Sequence, residues 1–374
     1  MIFMVEQTQF GNLIKYAAEY NLSSQILWFM MMRQTYVTGD DDEMWFVVND
    51  RPIRFFRMEY GLITWLEYSD NFPEEVLEVS DFCDRYFQGI NKVSVMEVEM
   101  KLKELKSVDE LLTIERVKMA CVYFVSGVLW PLAPVKNPLV DKKNFNLIDD
   151  FDAFNKYPWG MIAFKGAIHD LKYDLKKKEV VLSENIGNGK RSNSGTHDMV
   201  GFIYPLQILA YKCVCGIGER FAKQREGDNT SLPRICQWIS NKLPKKGSPR
   251  YIDILNASKS GKKIIRSILS PTDQESTAPY IRNIFIEDFI DSDLSFINSL
   301  LLEGKSVYCI RNPALCESKK TLQSKEEDQE SKLCLKNKST RSSKIDSAKK
   351  APAHQAERVD VLGESNIIRQ VKAL

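Results

Sequence analysis

MWFVVNDRPIRFFRMEYGLITWLEY, residues 44–68, is the stretch on which the fold turns. Met44-Trp45-Phe46-Val47-Val48 is rich in β-branched and aromatic side chains. Asn49-Asp50 is a turn pair, and Pro52-Ile53-Arg54-Phe55-Phe56 runs back, which is the pattern of an antiparallel hairpin. The spacing then changes from two to between three and four. Leu62, Ile63 and Leu66 fall on one face of an expected helix over Glu59–Tyr68.

Upstream of the hairpin, Phe10, Leu13, Ile14, Ala17 and Ala18 repeat at helical spacing, and a second helical run follows Asn21, from Ser24 to Met32. Downstream, Ser94-x-x-Glu97 and Ser107-x-x-Glu110 are capping boxes, in which the hydroxyl accepts a first-turn amide and the glutamate reaches back to the cap. They are expected to open helices over Val95–Leu105 and from residue 107 toward Trp130, the second closed by Pro131. Asp149-Asp150-x-Asp152 places carboxylates at a helix start, where the dipole favours them. That helix carries Phe151 and Phe154 and stops before Pro158. Apolar helices are expected over Trp159–Leu171 and Val200–Val214, the latter interrupted or bent at Pro205, and a last one over Ile284–Leu302. Residues 184–198 and 242–250 are polar or basic loops, and 232–238 is an ordered island. The fold class is therefore α+β, predominantly α-helical with a small antiparallel β-hairpin.

The chain has 374 residues and a formal net charge of +2, but the charge is divided along it. Residues 1–160 hold 16 basic and 25 acidic side chains, and residues 161–374 hold 36 and 25. A hydrophobic fraction of 44% excludes a wholly disordered chain. From about residue 313 onward the sequence turns to Ser, Lys, Glu and Gln, too little apolar surface to offset its ordering entropy. The uncharged run from Met119 to Val135 is short of the roughly 20 residues that a bilayer span needs, and it contains Pro131 and Pro134. It is a core helix, and no membrane segment or signal peptide is expected. Eight cysteines at irregular spacings fit free thiols in a reducing cytosol or nucleus, with the nucleus favoured.

The sequence excludes more chemistry than it assigns. Three histidines cannot build a His-rich metal site, and Cys213-Val214-Cys215 has no matching thiolate pair, so both thiols are expected to be helix-packed. Gly189-Lys190 and Gly261-Lys262 lack the first glycine and the following Ser or Thr of a phosphate loop. His169 is expected to be an ordinary helix-surface or core histidine, and Asp40-Asp41-Asp42-Glu43 an acidic turn. No catalytic residue, metal or cofactor is expected. The basic residues Lys242, Lys245, Lys246, Arg250, Lys259, Lys262 and Lys263 are the candidates for nucleic-acid contact, since Lys and Arg release counterions from phosphate without reading sequence.

Five pieces in order resemble a plant domain of unknown function. They are Arg51-Pro52-x-Arg54-Phe55 with Glu59-Tyr60-x-Leu62-Ile63-Thr64, then Gly127-Val128-Leu129 at the end of a helix from Cys121. Asp152-x-Phe154-x-x-Tyr157-Pro158-Trp159-Gly160-x-x-Ala163-Phe164 follows, and then the helix Gly201 to Tyr211 and the piece Leu232 to Trp238. Trp65 stands where the relatives have glycine. The resemblance spans residues 40–215 and extends to about 285. It implies a transposon-derived protein whose relatives often carry a ubiquitin-like-protease (SUMO-protease-type) cysteine peptidase domain after this one. It transfers no catalytic residue. Gln207 lies six residues before Cys213, as in that peptidase pattern, but Lys212 and Val214 flank the cysteine and no His-Trp precedes it. The expected organisation is the domain over 1–215, a helical extension over 216–312 and a disordered tail over 313–374. Its expected function is a non-catalytic interaction module for nucleic acid or a nuclear protein; a divergent or truncated cysteine-protease relative is the alternative.

Overall fold

The computed structural model describes residues 5–16, 22–35, 43–69, 72, 80–90, 92–105, 110–131, 137–172, 201–227, 230–240, 249–259, 265–278, 280, 281 and 284. The expectations for Ser107, the loops 184–198 and 242–248, the helix beyond Ile284 and the tail lie outside these residues, as do His197 and Asp40 to Asp42.

The hairpin forms as the sequence dictates. Strands β2 (Met44–Val48) and β3 (Arg51–Phe55) pair antiparallel with Met44 opposite Phe55 and Val48 opposite Arg51. Asn49 and Asp50 both take positive φ, 48° and 59°. This is the turn whose twist matches the strands, and Asn and Asp tolerate it better than other side chains with a Cβ. A short strand β1 (Gln34–Thr35) adds to β2, so the sheet has three strands in the order β1-β2-β3. The sequence reading missed this third strand because two residues carry no periodicity.

Helices α1 (Gly11–Tyr16) and α2 (Ser24–Met31) precede the sheet, with the Ser23 hydroxyl capping α2. Helix α3 (Arg57–Thr64) follows it, and here the structure corrects the expected helix over Glu59–Tyr68. The helix starts two residues earlier and ends at Trp65, whose φ of 57° is left-handed. A left-handed residue after the last turn is an ordinary helix stop, and glycine is its usual occupant. The glycine of the resembling proteins at this position therefore has a conformational reason. Here Trp65 adopts the same backbone and stacks on Tyr280, ring centroids 5.0 Å apart at 23°.

Beyond α3 come α4 (Asp81–Phe87), α5 (Val95–Glu104) and α6 (Glu110–Phe124), the last running into a π-helical turn at Val125–Leu129. The Ser94 capping box is present, with the Glu97 carboxylate accepting from the Ser94 amide at 2.6 Å. Helices α7 (Lys142–Asp149), α8 (Phe151–Lys156) and α9 (Trp159–Leu171) follow, with Asp150 capping α8 through the Ala153 amide. Helix α10 (Tyr204–Cys213) holds Pro205 in its first turn, so the proline marks the start of the helix rather than a break or bend within it. Proline fits a first turn because its missing N–H would be unpaired there in any case. Then come α11 (Cys215–Phe221), a two-stranded sheet of β4 (Ala222–Gln224) and β5 (Trp238–Ser240), a 3-10 turn (Arg234–Gln237), α12 (Tyr251–Lys259) and α13 (Asp273–Ser276). The protein is α+β and mostly helical. Among the described residues no helix is long and apolar enough to cross a membrane.

The core is one cluster from Phe10 to Ile284, and α3 lies inside it. Met58, Glu59, Tyr60, Gly61, Leu62, Ile63 and Thr64 are all buried, so this helix has no solvent face. It packs on α9, α10, β3 and the 3-10 turn. Phe164 of α9 meets Phe55, Phe56, Tyr60 and Tyr68, with centroids 5.4–6.3 Å apart. The Tyr60 hydroxyl donates to the Phe202 carbonyl at 3.1 Å. Gly160 lets α9 touch the chain after α3: its amide donates to the Glu67 carbonyl at 2.9 Å, and a Cβ there would lie 2.7 Å from that same oxygen. Truncating a buried aromatic of this kind costs about 3–5 kcal/mol.

Trp65 separates backbone strain from side-chain packing. Both Trp65→Ala and Trp65→Gly lose the Tyr280 stack, but only glycine relieves the left-handed backbone, which costs about 1–2 kcal/mol for other residues. In urea unfolding, W65A is expected to be less stable than W65G by about 1 kcal/mol. Equal stability of the two variants would remove the conformational explanation.

Candidate functional site

Where β5, the 3-10 turn, the C-terminal end of α10 and the segment 265–275 meet, they enclose a cleft of about 830 Å³. Four basic side chains line it, Lys212, Arg225, Arg234 and Arg266, against two carboxylates, Glu219 and Glu275. The backbone that carries Arg266 is fixed from two sides. Val214 and Ile265 form an isolated antiparallel bridge, the Arg266 amide donates to the Cys213 carbonyl at 2.9 Å, and the Arg54 amide on β3 donates to the Ser267 carbonyl at 2.8 Å.

Arg234 and Glu275 form the buried wall. The guanidinium donates from Nε at 2.9 Å and from Nη2 at 2.6 Å to the two carboxylate oxygens, and also to the Ser270 carbonyl at 2.7 Å. Both side chains are under 10% exposed. Burial pushes the Glu275 carboxyl up, but the hydrogen bonds and charge of Arg234, with the Thr272 amide and hydroxyl, outweigh it and hold the group below its ordinary value. The Thr272-x-x-Glu275 capping box opens α13, so one carboxylate both starts a helix and neutralises an arginine.

Lys212 ends α10 half-buried in the cleft, with Nζ donating to Gln237 Oε1 at 3.1 Å and standing 5.6 Å from the Trp238 ring centre. Burial, with Arg234 and Arg266 adding to it and Glu275 opposing, lowers its pKa to about 8. Arg266 donates from Nη1 to the Lys212 carbonyl at 3.0 Å and to Cys215 Sγ at 3.1 Å. Arg225 stacks over Tyr16, 4.2 Å from its ring centre.

The structure sorts the predicted residues plainly. Arg250 and Lys259 stand exposed at the two ends of α12, with Arg250 held by Asp253 at 2.8 Å. Lys242, Lys245, Lys246, Lys262 and Lys263 lie outside the described residues. Against the expectation of two helix-packed thiols, only Cys213 is packed away. Cys213 is fully buried while Cys215 is partly exposed and lines the cleft. Burial pushes the Cys213 thiol far up, and Gln207 is occupied as acceptor for the Ser23 amide at the cap of α2. His169 is 89% exposed. Among the described residues no group of three or more His, Cys, Asp or Glu side chains is placed to hold a metal. The sequence reading passed over Lys212, Arg234, Arg266 and Glu275. Arg234 sits inside the Leu232–Trp238 piece, which is the one signal that pointed here.

Residues 31–170 match the family model of a domain of unknown function, DUF1985. No curated protein and no solved structure matches the chain. The matched segment carries the hairpin, α3 and α9, and ends before the cleft.

The buried pair sets a stability test. Glu275→Gln leaves the Arg234 charge buried without its counter-ion and is expected to cost about 3–5 kcal/mol. The double variant R234M/E275L, which removes both charges, should recover most of this. Because the Glu275 value is depressed on folding, its stabilisation is present above about pH 4.5 and fades as the pH falls through the lower folded value. Urea midpoints of the single and double variants between pH 3 and 7 check this, and a cost for E275Q no larger than that of the double variant would overturn it.

Proposed function

We propose that the chain is a non-catalytic interaction module of a plant transposon-derived protein, working in the nucleus, that meets nucleic acid through the basic side of its later half. The observation that carries this is the cleft, where four cations face two carboxylates and one carboxylate is consumed by Arg234. The predicted contact residues flank the cleft in the chain. Lys242, Lys245 and Lys246 follow β5, whose first residue Trp238 lines it, and Lys262 and Lys263 precede Arg266. Arg250 and Lys259 present two further exposed charges on α12. The transposon origin rests on the resemblance of the motif pieces, and the organisation into a domain over 1–215, a helical extension over 216–312 and a tail over 313–374 belongs to the same reading. A protein partner is the second reading, favoured by Met96 and Met100, one turn apart on α5 and 49% and 54% exposed. A cysteine-protease relative would need Cys213 as nucleophile, and a buried thiol held protonated does not serve that role.

Fluorescence anisotropy with a labelled oligonucleotide tests the reading. Affinity is expected to fall steeply between about 50 and 200 mM salt, with a slope near 0.9 per phosphate contact on duplex, and reversing Lys245, Lys246, Lys262 and Lys263 to glutamate should abolish binding. No complex at low salt, or salt-independent binding, would sink it. An electrophilic probe built on a ubiquitin-like modifier is expected to leave Cys213 unlabelled; an adduct there would revive the protease reading.

A further inference from the structure

The cleft is rich in hydrogen-bond donors and poor in acceptors. Lys212 has one hydrogen bond, to Gln237, and no carboxylate in ion-pair reach among the described residues. Arg266 uses Nη1 on the Lys212 carbonyl and Cys215, which leaves Nε and Nη2 without an acceptor among the described residues. Glu275 belongs to Arg234, and Glu219 is exposed.

We propose that the cleft is a binding site for a phosphomonoester group, received by Lys212 Nζ and the unused edge of Arg266. Counting its lining charges, the cleft carries two more cations than carboxylates. A phosphomonoester near neutral pH carries about −1.5 to −2 and offers three acceptor oxygens, whereas a carboxylate brings one charge and two oxygens. A guanidinium edge matches the spacing of such oxygens. The volume of about 830 Å³ exceeds one anion and suits a phosphate with an organic body attached. Tyr211 and Trp238 are 2% and 9% exposed, so their ring faces are covered and recognition rests on charge rather than on stacking a base. Inorganic phosphate, a nucleoside monophosphate and the 5′ end of a strand share this chemistry. The inference deepens the nucleic-acid reading at one point, yet inorganic phosphate tests it with no strand present.

Cys215 lies in the cleft against Arg266 and reports occupancy, and Cys83, also partly exposed but outside the cleft, is the control. The full chain is alkylated with iodoacetamide in phosphate or in sodium chloride of equal ionic strength, and each thiol is followed by peptide mass mapping. With about 10 mM phosphate and a dissociation constant near 1 mM, alkylation of Cys215 should slow about tenfold and that of Cys83 should not change. The thermal midpoint should rise in phosphate over chloride. Lys212→Met and Arg266→Met should lose both effects. K212M is expected to fold at least as stably as the parent near neutral pH, since it removes a desolvated ammonium. Arg234, Arg266 and Glu275 face Lys212, and its charge is lost as the pH rises through about 8. The protection ratio should therefore fade toward pH 9.5 in the parent and persist in K212R.

The absence of both protection and a midpoint rise in phosphate overturns the proposal, as do effects that survive in both K212M and R266M. A 5′-phosphorylated oligonucleotide that protects where its 5′-hydroxyl counterpart does not supports it and identifies a strand end as the source. Equal protection by both, with none from inorganic phosphate or adenosine 5′-monophosphate, overturns it in favour of backbone contact. Phosphate protection without any oligonucleotide binding upholds this site while the nucleic-acid reading fails.

Discussion

The contact between Arg54 and Glu59 is the constraint on which the rest of the structure is built. Glu59 is completely buried at the start of α3, accepting from the Arg54 guanidinium at 3.1–3.3 Å and from the Phe56 amide at 3.1 Å. Burial pushes its carboxyl above the ordinary value, and Arg54 with the Phe56 amide offsets only part of that. A charge this deep is tolerated only when it is paired and hydrogen-bonded. The pair therefore joins the last strand of the hairpin to the first turn of the helix and fixes the angle between them. That angle decides which face of α3 meets α9 and which meets α10. Arg54 also offers its backbone amide to Ser267, so the same residue that launches the central helix anchors the segment leading into the cleft.

This explains why the motif pieces stand in a fixed order while far apart in sequence. Phe55, Tyr60 and Phe164 come from two of them and meet around one ring. Phe202, from a third, accepts the Tyr60 hydroxyl bond. Gln207, in the same piece, caps the approach to α2. Their shared role is packing around a helix with no exposed side. Close contact is limited to small residues, as at Gly160, and at Gly201, where a Cβ would lie 2.6 Å from the Ala167 nitrogen. The packing residues named here do not line the cleft, whereas Tyr211 and the Leu232–Trp238 piece do, so scaffold and cleft meet at the end of α10.

The hairpin, the Ser94 cap, the Asp150 cap and the Trp159–Leu171 helix were legible because each is a local device. The turn pair, the capping oxygen or the apolar stripe acts within a few residues of itself. The end of α3 was not legible, because Leu66 continues the apolar spacing while the backbone has already turned at Trp65. Pro205 was misplaced because a proline within an apolar run fits a kink as well as a first turn, and only the preceding backbone at Ile203 decides. The charged loops stand out as runs, whereas Lys212 is a single cation at the end of an apolar helix. Arg234 and Glu275 are 41 residues apart.

By itself, the sequence determined the fold class, the hairpin, most helix starts and the separation of charge between an acidic first part and a basic later one. These follow from side-chain periodicity and short-range hydrogen bonding, which need no distant partner. Only the tertiary structure decided that Cys213 is sealed while Cys215, two residues on, opens to a cleft. It alone placed Lys212 and Arg266 together with donors left over. Burial and hydrogen-bond balance are properties of all the chain that surrounds a group, and no local pattern carries them.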